Sequence, residues 1–184
     1  TSSLLRSDNQ PTRLYRSVQL LGGYSNNCVT RTLNASNTVF TNSGAKRWHW
    51  EPKRDLVLQG FTFSAFANAI DIDNFDVNEV EQRIDISHNR FIGGTGQIDI
   101  SAEAGLNTSL ITLKNNIIYG RSTDTNCVLR IFGDSSDDTS VRLVVSNNTF
   151  TGNSGGDMLC FGLIDIPSFY NNIFFTNSGD DIVG

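Results

Sequence analysis

Ile84-Asp85-Ile86-Ser87-His88-Asn89-Arg90-Phe91 is an apolar triplet, two residues, an Asn, one more residue and a large apolar residue. The phrase returns as Ile111-Thr112-Leu113-Lys114-Asn115-Asn116-Ile117-Ile118 and as Leu143-Val144-Val145-Ser146-Asn147-Asn148-Thr149-Phe150. Its last copy is Pro167-Ser168-Phe169-Tyr170-Asn171-Asn172-Ile173-Phe174. A looser copy, Leu56-Val57-Leu58-Gln59-Gly60-Phe61-Thr62-Phe63, comes first, with Phe61 in the Asn place. From Phe61 to Asn89 is 28 residues, then 27 to Asn116, 32 to Asn148 and 24 to Asn172. A period of this size means stacked units rather than one globular core.

Most triplets place apolar residues first and third and vary the middle one, which is a strand with one buried face. A second alternation follows each triplet: Ile70-Asp71-Ile72, Ile98-Asp99-Ile100, Leu129-Arg130-Ile131, Leu159-Cys160-Phe161 and Ile182-Val183. No Asn-Gly or Asp-Gly turn joins the two rows as hairpins. The economical solution is a coil in which like strands stack in parallel on the turn below. The expected fold is therefore all-β, a right-handed parallel β-helix (β-solenoid) of about six to seven coils, with little or no helix.

Asn89, Asn116, Asn148 and Asn172 fall where the chain leaves the first strand. Stacked there, their amides can satisfy polar groups that a bend leaves unpaired, and Asn tolerates the left-handed conformation a bend needs. A structural ladder is the expectation, ahead of ligand binding. Phe63, Phe91, Ile118, Phe150 and Phe174 follow as an inward stack. Phe-Thr-Asn-Ser-Gly at 40–44 and 175–179, stretched at 150–155, reads as a recurring turn.

The N-terminal third is less regular. Val18-Gln19-Leu20-Leu21 and Thr38-Val39-Phe40 read as strands, and Trp48-His49-Trp50-Glu51-Pro52 reads as a bulky excursion. Residues 1–13 are mostly polar and read as an arm or cap, with 14–184 as a single β-helix domain.

Leu20-Leu21-Gly22-Gly23-Tyr24, then Cys28, Arg31 and Asn37-Thr38-Val39, followed by coils with Asn-Asn-x-Phe, resembles bacterial right-handed parallel β-helix proteins of the pectate-lyase-like superfamily. The ending from Asn171 to Gly184 is similar to the last coils of surface proteins carrying a "choice-of-anchor" label. The resemblance covers roughly residues 15–184 and implies an extracellular or bacterial cell-surface setting. It also implies a fold shared with lyases and hydrolases of acidic polysaccharides.

The net charge is −5, and the 14 Lys and Arg residues form no run or stripe, which argues against nucleic acid as a partner. No apolar run is long enough to span a bilayer. The chain opens at Thr1 rather than Met, so a processed N-terminus and a longer parent protein are both compatible with it. Cys28, Cys127 and Cys160 match no zinc or redox spacing. Cys127 and Cys160 fall near equivalent places in adjacent repeats, so a bridge is conceivable, but free thiols are the commoner state of isolated cysteines.

A filled coil puts any site on its outside. Asp71, Asp99, Arg130 and Cys160 form one outward row. Asp71 and Asp99 can share a Ca²⁺ with loop oxygens, or act as an acid/base pair, and Arg130 can neutralise a substrate carboxylate. Charge balance is the first reading of this row, a metal or sugar contact the second and catalysis the third. Trp48 and Trp50, flanking His49, can stack on sugar rings, although paired tryptophans near a coil end more often fill the core. No motif calls for a cofactor.

The leading functional reading is an extracellular, non-catalytic module that contacts carbohydrate, adheres or gives structure. The alternative is an enzyme acting on acidic polysaccharide, lyase before glycoside hydrolase. The scarcity of Lys within the coils counts against a lyase. A third reading is assembly, because exposed strand edges at the coil ends, such as Ile182-Val183, invite a homodimer or a continuation of the coil.

Overall fold

The computed structural model describes residues 12–25, 29–41, 48–66, 70–74, 82–102, 109–123, 127–133, 141–162, 164 and 166–184. Three sheets run along it, and every strand pair in them is parallel. The first sheet stacks β1 (Thr12–Leu14), β4 (Trp48–Pro52), β7 (Ile70–Asn74), β10 (Ile98–Ala102), β13 (Cys127–Gly133), β16 (Asp157–Gly162) and β19 (Ile182–Val183). The second stacks β2 (Val18–Leu21), β5 (Leu56–Gln59), β8 (Gln82–Ser87), β11 (Ser109–Lys114), β14 (Val141–Ser146) and β17 (Ile166–Tyr170). The third stacks β3 (Val39–Thr41), β6 (Thr62–Ser64), β9 (Arg90–Ile92), β12 (Ile117–Tyr119), β15 (Thr149–Thr151) and β18 (Ile173–Phe175).

This is a parallel β-solenoid. Among the described residues the only helical turn is the short 3-10 segment Ala35–Asn37, capped by the Asn34 side chain. The two alternating rows of the sequence are the second and first sheets. The third sheet, three residues wide, lies between them along the chain. The polar start of the chain lies outside the described residues as far as residue 11, and Thr12–Leu14 already pairs with β4.

The alternation dictates the burial. Leu56, Leu58, Ile84, Ile86, Ile111, Leu113, Leu143 and Val145 point inward from the second sheet and are buried, as are Ile70, Ile72, Ile98, Ile100, Leu129, Ile131 and Leu159 from the first. Each such side chain contributes about 1.5–3 kcal/mol by leaving water. Phe63 and Phe91 stack at 5.2 Å with planes 7° apart, and Phe150 and Phe174 at 4.8 Å and 10°. Ile118 fills the same inward position between these two aromatic pairs.

The bend from the second sheet to the third carries the asparagine ladder. The Asn89 backbone N–H donates to Asn116 Oδ1 (3.0 Å), that of Asn116 to Asn148 Oδ1 (2.9 Å) and that of Asn148 to Asn172 Oδ1 (3.0 Å). Each amide also donates from Nδ2 to a backbone carbonyl: Asn89 to Leu58, Asn116 to Ile86, Asn148 to Leu113 and Asn172 to Val145. Phe61 enters the ladder through its backbone, donating to Asn89 Oδ1.

The left-handed conformation at this bend belongs to the residue before each ladder asparagine, not to the ladder asparagine itself. It falls on His88, Asn115, Asn147 and Asn171 (φ 54–57°) and on Gly60 in the looser copy. Two adjacent positions thus divide the work. The first takes the left-handed turn, and the second, buried at Asn89, Asn116 and Asn148 and half-buried at Asn172, holds its neighbouring rungs.

A second bend, after the third sheet, repeats the device in shorter form. Arg121 N–H donates to Asn153 Oδ1 and Asn153 N–H to Asn177 Oδ1, while their Nδ2 atoms donate to Ile118 and Phe150 carbonyls. Asn153 and Asn177 come from the Asn-Ser-Gly phrase, so two of those turns are ladder positions. Arg121 stands in the same row, fully buried, donating from its guanidinium to the Gly93 and Gly96 carbonyls. Burial lowers its pKa to about 10.

Two expectations need correction. Cys127 and Cys160 are not free thiols. They form a disulfide between neighbouring strands β13 and β16, with Cα atoms 5.9 Å apart. Cys28 lies outside the described residues. Trp48-His49-Trp50 is not an excursion from the coil. It is the centre of β4, in register with Ile70-Asp71-Ile72.

Candidate functional site

Because β4 is a member of the first sheet, its alternation turns the tryptophans inward and His49 outward. Trp48 and Trp50 are buried in the core, where Trp48 packs on Phe40 and edge-on against Phe63. Rings placed there cannot stack on an external sugar.

His49 heads the outward row. Register places it beside Asp71, Asp71 beside Asp99, Asp99 beside Arg130 and Arg130 beside Cys160. Two residues further along the same strands lies a parallel outward row that includes Glu51, Asp73, Ser101, Phe132 and Gly162. The strand period of two makes Asp71 and Asp73 same-face neighbours on β7.

Register and side-chain pairing then diverge. Asp99 is taken by Arg130: Nε donates to Asp99 Oδ1 at 3.0 Å and Nη2 donates to Asp99 Oδ2. This hydrogen bonding raises the guanidinium pKa, and Asp71 and Asp73 add a weaker attraction to it. The Arg130 guanidinium also lies 5.5 Å over the Phe132 ring. Glu51 is taken by Arg13 at 2.8 Å. Asp71 and Asp99, paired in the sequence as a Ca²⁺ or acid/base site, therefore face different partners.

Asp71 belongs with His49 and Asp73. His49 Nε2 is 2.8 Å from Asp73 Oδ2, and His49 Nδ1 is 3.9 Å from Asp71 Oδ2. The side chains are 11%, 9% and 22% exposed for His49, Asp71 and Asp73. One ligand atom from each lies within 4.8 Å of the others, a cluster of metal-holding chemistry among the described residues. His49 Nδ1 is buried without a hydrogen-bond partner.

Sequence reasoning passed over His49 and Asp73 as site residues. The available signal was apolar-x-apolar: Trp48-His49-Trp50 is the same pattern as Ile70-Asp71-Ile72, written in larger side chains. Asp73 was one further step along the alternation already in hand.

The outer face of the third sheet is chemically different. Its outward columns run Ile92, Tyr119, Thr151, Phe175 and, beside them, Arg90, Ile117, Thr149, Ile173. Tyr119 is 52% and Phe175 66% exposed. Gly152 borders one edge of the Tyr119 ring, where an added Cβ would come to 3.3 Å from Cε2 and 3.6 Å from Cδ2. The ladder asparagines, by contrast, are committed to backbone groups and offer nothing outward.

Compared with known protein families, curated proteins and solved structures, the chain matches none. No helix among the described residues is long and apolar enough to cross a membrane.

Proposed function

We propose that this chain is an extracellular module that contacts carbohydrate through the outer face of its third sheet without acting on it. The observation that carries the reading is the file Tyr119, Thr151, Phe175, in which two exposed rings stand two rungs apart, about 10 Å at the usual strand spacing. Rings present an apolar face to the C–H side of a sugar. Thr149 and Thr151 place hydroxyls between them that can bond sugar hydroxyls.

The Cys127–Cys160 bridge supports the extracellular setting, since disulfides persist mainly in oxidising compartments. The coil motifs support placing the chain near the pectate-lyase-like β-helices. The test is electrophoresis of the wild type and the Tyr119→Ala/Phe175→Ala variant through gels containing neutral and acidic polysaccharides. At least one polysaccharide should retard the wild type and not the variant. Equal mobility of the two in every gel overturns the reading.

A second reading, an enzyme acting on acidic polysaccharide, draws on His49 beside Asp71 and Asp73, a group of proton-transfer type. The Asp99–Arg130 pairing counts against it, since it occupies the cation that a lyase needs for the substrate carboxylate. Absorbance of unsaturated product on polyuronates, lost in Asp71→Asn, would favour the enzyme over the binding module.

A further inference from the structure

We infer that His49, Asp71 and Asp73 form a binding site for a first-row divalent metal ion of the Zn²⁺ type. In it His49 Nδ1 and the Asp71 carboxylate are ligands, and Asp73 orients the imidazole. The inference is independent of the carbohydrate reading, because the cluster sits on the first sheet and the aromatic file on the third.

Three observations carry it. The first is the hydrogen-bonding state of the imidazole. With Nε2–H donating to Asp73 at 2.8 Å, the neutral ring carries its lone pair on Nδ1. That Nδ1 is buried, has no hydrogen-bond partner, and faces Asp71 Oδ2 at 3.9 Å. The gap is too long for a hydrogen bond, and two lone-pair atoms facing each other repel. An ion bonded to both at about 2.0–2.2 Å fits between them at a wide angle. Asp73 behind the ring then completes the carboxylate–histidine–metal arrangement that tunes such ligands.

The second observation is charge. The flanking acids are already matched, Glu51 with Arg13 and Asp99 with Arg130. Asp71 and Asp73 bring two carboxylates to the single imidazole of His49. A divalent ion offsets the charge of two carboxylates gathered on one face.

The third observation is donor type. Ca²⁺ and Mg²⁺ take oxygen donors, whereas one imidazole nitrogen with carboxylate suits Zn²⁺, Co²⁺ or Ni²⁺. With two protein ligands the remaining positions fall to water on the outer face of the coil. The site would therefore be open rather than a closed structural one.

The chain has only two histidines, His49 and His88, which makes the test direct. Tag-free protein is titrated with Zn²⁺ by calorimetry, and the imidazole resonances are followed by NMR, with His88→Gln assigning them. One ion per chain is expected, moving the His49 signals and leaving those of His88 in place. Asp73→Asn should weaken binding about 10–100-fold, and His49→Gln and Asp71→Asn should abolish it. Ca²⁺ should not compete, and circular dichroism should show each variant folded. Wild-type protein that takes up no stoichiometric Zn²⁺ overturns the inference, as does Zn²⁺ that shifts His88 instead. Binding retained in folded His49→Gln overturns it equally.

Discussion

Two polar files run along this coil, and they are built on opposite rules. The ladder at the first bend repeats one residue, Asn89, Asn116, Asn148 and Asn172; each member donates to a carbonyl, and the first three donate also to the asparagine of the next rung. The file on the outside of the first sheet never repeats a chemistry beyond two aspartates: His49, Asp71, Asp99, Arg130, Cys160. Uniformity solves a problem common to every rung, the unpaired backbone at a bend. Heterogeneity answers no common backbone need, because an outward strand position has its backbone already paired in the sheet. A repeating polar residue in a solenoid is thus a structural element first. The place where repetition lapses is where to look for function.

The largest test of that contrast falls on the end of the heterogeneous file. Replacing Cys127 and Cys160 by Ser opens a link between residues 33 apart in sequence and should cost about 3–4 kcal/mol in chemical denaturation, if the loss is that of loop-closure entropy. A loss under about 1 kcal/mol would mean that the coil alone fixes these strands.

Asn116→Ala comes next. It strips partners from the buried Asn89 N–H and Ile86 carbonyl, at about 1–3 kcal/mol for each group left unsatisfied. Asn172→Ala, the same substitution in a half-buried setting, should cost visibly less, because water reaches the groups it frees. Equal costs at 116 and 172 would break the claim that burial gives the ladder its value.

The smallest effect is expected at Asp99→Asn. Its partner Arg130 has a side chain 42% exposed, so solvent screens the pair and the loss should stay within about 1 kcal/mol. The variant sharpens the comparison further. It should leave Zn²⁺ binding at His49 intact, whereas Asp71→Asn should remove it.

The sequence disclosed what was periodic and hid what was not. The second and first sheets were readable because five copies of each carry apolar residues at alternate positions. The ladder was readable because its members are identical and stand at the same place in a recurring phrase. The third sheet was harder, since strands of three residues are too short to display alternation, and beyond Thr38-Val39-Phe40 only its aromatic stack announced it. The second ladder was visible as an Asn-Ser-Gly phrase but passed for a turn, because Arg121 stands where a third Asn would have completed the pattern.

The cluster at His49 was hidden for a related reason. Trp48 lies 22 residues before Ile70, whereas Ile70 to Ile98 is 28, so β4 stood outside the apparent period. The partner choices of Asp99 and Glu51 depend on which guanidinium each can reach. That is a property of side-chain length in three dimensions, and strand register alone does not determine it.

The unequal spacing of the ladder has a consequence for how such a protein can change. Successive asparagines stand 27, 32 and 24 residues apart, yet their N–H to Oδ1 bonds stay at 2.9–3.0 Å. Surplus chain is absorbed between the strands without disturbing the clasp at the corner. Segments grafted into those intervals should leave the pitch of the coil as it is, much as beads of different size can hang from one evenly knotted cord.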